Sequence, residues 1–249
     1  MFRRGLARFS RGRFADATAE GLTFRCYPAE NRDDFELVAK GRLPEPEERR
    51  WITAHLPHGG VLVDIGANVG VHTIWAASRP KMDVRVIAFE PSPLMRARLS
   101  ANLALNRIPR DRVRVVAAAV GAEDGTGQLC LLSPGNAGSA RLLEGPPPAG
   151  SGPVMTVARV RLAQALSLAT GAPPVRPDVV KIDIEGREDE VVADMLATFP
   201  AASLPGAVVL EVAMKESWRA DAVAMLERAG YRIGARTDEN VLMVRTPQG

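Results

Sequence analysis

No apolar run in this chain reaches the length of about 18 residues that marks a membrane-spanning helix, so no span is expected. Cysteine is nearly absent. Cys26 and Cys130 stand far apart and match no metal-ligand spacing. Two buried free thiols in a reducing compartment are expected, not a disulfide. Lysine is scarce, with 4 against 28 arginines. With many alanines, glycines and prolines, that balance reads as the bias of a GC-rich genome, not as a phosphate-binding surface. The net charge of +3 is too small to imply a nucleic-acid partner. Histidine is limited to His55, His58 and His72, and no Ser-His-Asp or Cys-His pairing can be argued. No secretory apolar segment is present, so the expected location is cytoplasmic. Acids are missing before Asp16, where Arg3, Arg4, Arg8, Arg11 and Arg13 interleave with Phe2, Leu6, Phe9 and Phe14. A frayed basic terminus is expected for residues 1–20, with peripheral membrane contact by residues 1–15 as the sharper alternative.

The most informative stretch is Val61-Leu-Val-Asp64-Ile-Gly66-Ala-Asn68-Val-Gly70-Val-His-Thr73. An apolar run ends in a carboxylate, a glycine-spaced turn follows, and then a helix begins. Parallel α/β sheets build cofactor cradles in this way, at the carboxyl end of a strand. A dinucleotide site would want G-x-G-x-x-G. Here the order is Asp64-x-Gly66-x-Asn68-x-Gly70, without the glycine that exposes bare backbone to a pyrophosphate. An acid at the strand end would repel a diphosphate but suits an ammonium group. Glu90 ends the next strand, where a carboxylate can accept from both hydroxyls of a ribose. A cationic head, a ribose and no phosphate describe S-adenosyl-L-methionine. An NAD-linked enzyme remains the competing reading of the glycine turn.

Asp64-Ile-Gly-Ala-Asn-Val-Gly70, Ala88-Phe-Glu-Pro91 and Val180-Lys-Ile-Asp-Ile-Glu-Gly186 with Glu188 together resemble the motifs of the FkbM family of S-adenosylmethionine-dependent methyltransferases. The resemblance covers about residues 61 to 232, and more loosely the lead-in from Gly21. It implies an α/β, Rossmann-like class I methyltransferase fold. Its sheet would be mostly parallel and seven-stranded, with helices on both faces and an N-terminal extension. It further implies methyl transfer to a hydroxyl oxygen of a small molecule or sugar. Asp64, Gly66, Ala67, Asn68, Gly70, Thr73, Glu90, Pro91 and Ala118 are the expected cofactor residues, with Ala118 near the adenine. One departure is visible. The family often has Leu-Asp at the helix before the Lys-Ile-Asp strand, whereas Leu162 is followed here by Ala163 and Gln164. That leaves room for a non-catalytic module that binds the cofactor and serves a partner.

The chain divides into the basic segment 1–20, a lead-in of hairpin and helix over 21–58, and the main domain 59–249. Within the last, strands are expected at 61–65, 84–89, 113–118, 128–132, 179–184 and 207–212, with a closing hairpin at 231–234 and 241–245. Residues 133–153, rich in glycine and proline, are expected as a flexible loop over the acceptor pocket.

A second constellation lies on the strand Val179–Ile184. Alternation puts Lys181 and Asp183 on one face. A lysine in a run buried on both faces needs a carboxylate partner. Lys181, Asp183 and Glu211 are expected as a charged cluster on the floor of the acceptor pocket, with Glu185 at its rim. Asp183 would orient or deprotonate the acceptor hydroxyl, and Lys181 would stabilise the developing alkoxide. A purely structural buried pair is the competing reading. Glu188, Asp189 and Glu190 are expected as helix-start acids. No metal site is expected, although Asp183 and Glu185 could supply oxygens to magnesium. The partner is then a small-molecule or glycan acceptor.

Overall fold

The computed structural model describes residues 12–79, 81–133, 135–170 and 176–246. The arginine-rich residues 1–11 lie outside the described residues, so the basic segment is represented only by its end. Strands β1 (Ala15–Ala19) and β2 (Leu22–Cys26) form an antiparallel hairpin. Helix α1 (Arg32–Lys40) follows, capped by Asn31, whose side chain accepts from the Asp34 amide. Helix α2 (Pro46–His55) starts on a proline with Glu47 and Glu48 in its first turn. The Phe35–Val38 stretch of the lead-in is therefore helical.

The main sheet begins at β3 (Val61–Ile65), and α3 (Val71–Ala77), β4 (Arg85–Phe89), α4 (Pro93–Leu105) and β5 (Val113–Val116) follow in order. A small sheet comes next: β6 (Ala119–Val120), β7 (Gly125–Ser133), β8 (Asn136–Leu143) and β9 (Val154–Val160), with spatial order β6-β9-β7-β8. Then come α5 (Leu162–Thr170), β10 (Val179–Ile182), α6 (Glu188–Thr198), β11 (Ala207–Glu211), α7 (Ala222–Arg228), β12 (Tyr231–Arg236) and β13 (Asn240–Arg245). The seven-stranded sheet has the order β12-β13-β11-β10-β3-β4-β5. Its strands run parallel except β13, which is antiparallel to both β11 and β12.

Every residue of β3 and β10 is buried, because helices cover both faces. Alternate residues serve two apolar layers. Leu62, Val86, Ala88, Val179 and Val209 join Ile52 of α2, Ile74 of α3, Leu99 of α4 and Phe24 of the hairpin. Val63, Ile65, Phe89, Val180 and Ile182 join Leu166 of α5, Val192 of α6 and Leu226 of α7. This expected doubly covered sheet places the carboxyl ends of β3, β4, β10 and β11 side by side, which is where such folds bind ligands.

The stretch 133–153 departs from the expected loop. Its first half is β8, paired with β7 from Gln128↔Leu143 to Ser133↔Asn136, and the turn at 144–153 carries the prolines. Small residues in Asn136-Ala-Gly-Ser-Ala140 hide a strand whose inward side fits closely against the cofactor loop. A Cβ at Gly138 would stand 2.6 Å from the Asn68 side-chain Nδ2. Both cysteines are free and buried. Among the described residues no helix is long and apolar enough to cross a membrane.

Candidate active site

After β3 the backbone turns through Gly66 (φ 82°), Asn68 (φ 51°) and Gly70 (φ 93°), all in the left-handed region. Gly66 and Ala67 donate their amides to the Phe89 carbonyl, each at 3.0 Å. The Asn68 amide donates to Glu90 Oε2 at 2.9 Å, and the Ser92 amide donates to Glu90 Oε1 at 2.8 Å. Glu90 thus ties the glycine turn to the start of α4. Burial pushes its carboxyl up to about 7, although the Ser92 and Asn68 amides and Arg96 pull the other way.

A cavity opens above these strand ends. Gly66, Ala67, Asn68, Glu90, Pro91 and Ala118 line its one half. Lys181, Asp183, Glu185 and Glu211 line the other. Asp64, Gly70 and Thr73 do not line it. Asp64 is 1% exposed and sits in the layer beneath, opposite Lys181 in strand register. Its Oδ2 accepts from the Thr73 hydroxyl at 2.6 Å, and its Oδ1 has no hydrogen-bond partner. The expectation that Asp64 reaches the cationic head directly therefore meets a different geometry. The pleat that buries Leu62 also turns Asp64 toward α3. Gly70 is spent on packing, since a Cβ there would run into Leu99.

Lys181 Nζ donates to Asp183 Oδ2 at 2.7 Å. Burial alone would lower the ammonium pKa, but Asp183, Asp64 and Glu45 around it raise it well above its ordinary value. Burial and the Asp183, Glu188 and Glu185 carboxylates push Glu211 up to about 10. Burial and Asp183 likewise push Glu185 up to about 7. Glu188 has another task. Its Oε1 accepts from the Ile184 and Gly186 amides at 3.0 and 2.9 Å, and its Oε2 accepts from the Trp218 indole at 2.7 Å. It braces the turn after β10. Asp189 accepts from the Arg219 and Ala220 amides.

The lead-in supplies residues that sequence reading missed: Arg32, Asp33, Glu45 and, from the β12–β13 turn, Glu239 all line the cavity. The Asn31 side-chain Nδ2 donates to Asn68 Oδ1 at 3.0 Å, and Asn68 Nδ2 donates to Asp33 Oδ2 at 3.3 Å. The Ala137 amide donates to the Glu30 carbonyl at 2.5 Å, so the hairpin of β7 and β8 closes onto the lead-in. Adjacent acids after the helix-capping Asn31 were the available signal. His72 lies on the cavity wall, 3.3 Å from Glu45, and burial holds it well below its ordinary pKa, with Lys181 and Arg49 adding to the effect. Among the described residues no group of three or more His, Cys, Asp or Glu side chains is placed to hold a metal ion.

A strand order with one antiparallel strand next to the edge, a glycine turn after the first parallel strand and a carboxylate ending the second define a Rossmann-like class I methyltransferase. The Methyltransferase FkbM domain family matches residues 64–233, and the chain belongs to this family. The solved structure of methyltransferase FkbM from Methylobacillus flagellatus is similar at 16% identity with a TM-score of 0.50, over 74% of this chain and 43% of that one. The AMB antimetabolite synthetase AmbE of Pseudomonas aeruginosa is 48% identical over 48 residues, which is 19% of this chain and 2% of the synthetase. The chain thus spans under half of the Methylobacillus protein and a small fraction of the synthetase. The cofactor is S-adenosylmethionine. The residues present fit it: a buried carboxylate at the β4 tip faces the cavity, small residues form the turn, and acids outnumber the cations opposite.

The buried carboxyls carry a pH signature. Glu90, Glu185 and Asp33 are raised to about 7, about 7 and about 6, so the folded chain holds protons that the unfolded chain has released. Their contribution to stability is greatest below the unfolded values near 4 and is lost as pH rises through about 6–7. If Glu90 receives the ribose hydroxyls, ligand affinity runs the opposite way, because an ionised carboxylate is a stronger acceptor for both hydroxyls than a protonated one. S-adenosylhomocysteine is expected to bind about tenfold tighter at about pH 8 than at about pH 6, by calorimetry. Affinity that is flat over that range would rule out Glu90 as the ribose partner.

Proposed function

We propose that this protein methylates a hydroxyl oxygen of a small molecule or sugar. The observation that carries the reading is the Lys181–Asp183 pair on the cavity wall beside Glu211, across from the glycine turn and Glu90. S-adenosylmethionine supplies a methyl group activated on a sulfonium. The work left to the chain is to align an oxygen with that methyl and to take one proton. In this reading Glu90 holds the ribose, and Gly66, Ala67 and Asn68 floor the cofactor. Pro91 and Ala118 flank the adenine. Asp64 and Thr73 act from beneath, fixing the turn and facing Lys181. Asp183 accepts the hydroxyl proton as the new bond forms. Lys181, bonded to it at 2.7 Å, fixes its direction. Glu211 and Glu185 hold the acceptor in place. The lead-in and the β7–β8 hairpin exclude water from above.

The test is incubation with methyl-labelled S-adenosylmethionine and a library of small hydroxyl compounds, with products read by mass spectrometry and methoxy resonances. Label on oxygen supports the reading, whereas label on nitrogen or carbon overturns its oxygen specificity. A melting temperature raised by S-adenosylhomocysteine with no label transferred would favour the non-catalytic binding module instead.

A further inference from the structure

Apart from Glu90, the cavity is lined by the acids Asp33, Glu45, Asp183, Glu185, Glu211 and Glu239. Arg141 of β8 also lines it and makes no ion pair among the described residues; the other three cations are already committed. Arg32 pairs with Glu239 at 3.1 Å, Lys181 with Asp183 at 2.7 Å, and Arg187 with Glu190 and, at 3.1 Å, with Glu144. Among the described residues Glu185 and Glu211 make no ion pair, and Glu45 faces the neutral His72. A second observation points to a missing partner. His72 is 6% exposed and lines the cavity, and its Nε2 makes no hydrogen bond even with Glu45 Oε2 at 3.3 Å. Glu211 Oε2 is likewise closed off from solvent and without a partner. Buried polar atoms are rarely left so.

The cofactor does not supply the difference. Its sulfonium and ammonium are offset in part by its own carboxylate, which leaves a single net positive charge. The described carboxylates also lack metal-binding placement. The remaining candidate is an organic cation on the acceptor. A groove leads outward from the same place. It lies between α1, the start of α2 and the β12–β13 turn, and shares Arg32, Asp33, Glu45 and Glu239 with the cavity.

We propose that the acceptor is an amino alcohol or amino sugar whose protonated amine is received by Glu45, Glu185 and Glu211 beside the hydroxyl to be methylated. This rests on the methyltransferase reading above. An ammonium offers several donors to a wall in which carboxyls predominate, and its charge favours their ionised forms, whereas a neutral polyol offers no charge.

The test titrates the full chain, saturated with S-adenosylhomocysteine, with glucosamine, kanamycin and a simple amino alcohol, each beside its N-acetylated form. Calorimetry near neutral pH is the readout. At least one amine is expected to bind about tenfold tighter than its N-acetyl form, and Glu185→Gln is expected to reduce that ratio about threefold or more. Equal or tighter binding of the N-acetyl forms overturns the proposal. So does binding of none of the amines, or an unchanged ratio in Glu185→Gln. Failure of S-adenosylhomocysteine itself to bind strikes the methyltransferase reading instead, so the two failures are separable.

Discussion

Gly66→Ala is expected to destabilise the protein by about 2–5 kcal/mol and to abolish cofactor binding. Gly66 sits at φ 82°, and a Cβ there would lie deep inside the van der Waals radius of the Asp183 carbonyl oxygen. The chain has nowhere to retreat. The Gly66 amide is bonded to the Phe89 carbonyl on one side, and the Asp183 amide is bonded to the Ile65 carbonyl on the other, at 3.0 and 3.1 Å. The left-handed backbone adds a cost of about 1–2 kcal/mol for any L side chain. For a domain of this size the loss corresponds to a melting temperature lower by roughly 10 °C. Calorimetric melting with and without S-adenosylhomocysteine checks both halves of the expectation. A variant that melts close to the parent and still binds would show that the turn has more room than its contacts indicate.

Lys181→Met is expected to cost about 3–5 kcal/mol at neutral pH, because it strands buried carboxylates without their cation. Lys181 is 3% exposed, bonded to Asp183 and opposite Asp64 in register. Asp64 is already pushed up by burial, with Lys181 as the main opposing influence. Without that ammonium Asp64 would bind a proton more readily. The loss is therefore greatest at neutral pH and shrinks at mildly acidic pH, where protonation removes the buried charge. Urea unfolding at both pH values gives the sign directly. Equal stability of the variant and the parent at neutral pH would mean that the pair does not hold the sheet, and the lysine would then be left with chemistry alone.

The legible parts of the chain were those written in local pattern. Val61–Ile65, Arg85–Phe89, Val179–Ile182 and Ala207–Glu211 are apolar on both faces, and only a doubly covered sheet accepts such strands. Gly66, Asn68, Gly70 and Glu90 could be named because the turn and the strand tip dictate their residue types. The strand Asn136–Leu143 was missed because alanine, glycine and serine fit it against the Asn68 loop, and a pattern read along one strand does not register its neighbour. Asp33, Glu45 and Glu239 were missed for the same kind of reason. They come from segments far apart in sequence and acquire a role only where the lead-in folds over the β3 turn. Asp64 was legible as a residue but not in direction. Its position at a strand end suggested exposure to a ligand, and the pleat instead points it inward, to Thr73 and Lys181.

The placement of β13 bears on how the molecule is made. This last strand is not at the edge of the sheet but between β11 and β12, with Val208 facing Met243 and Ile233 facing the same residue from the other side. A ribosome delivers it after every other strand of the sheet. Until Asn240–Arg245 emerges, β11 presents an open apolar margin, and β12 has no neighbour to pair with. Closure of the sheet must then wait for β13, and a polypeptide trimmed to the 64–233 family match would keep that margin permanently bare.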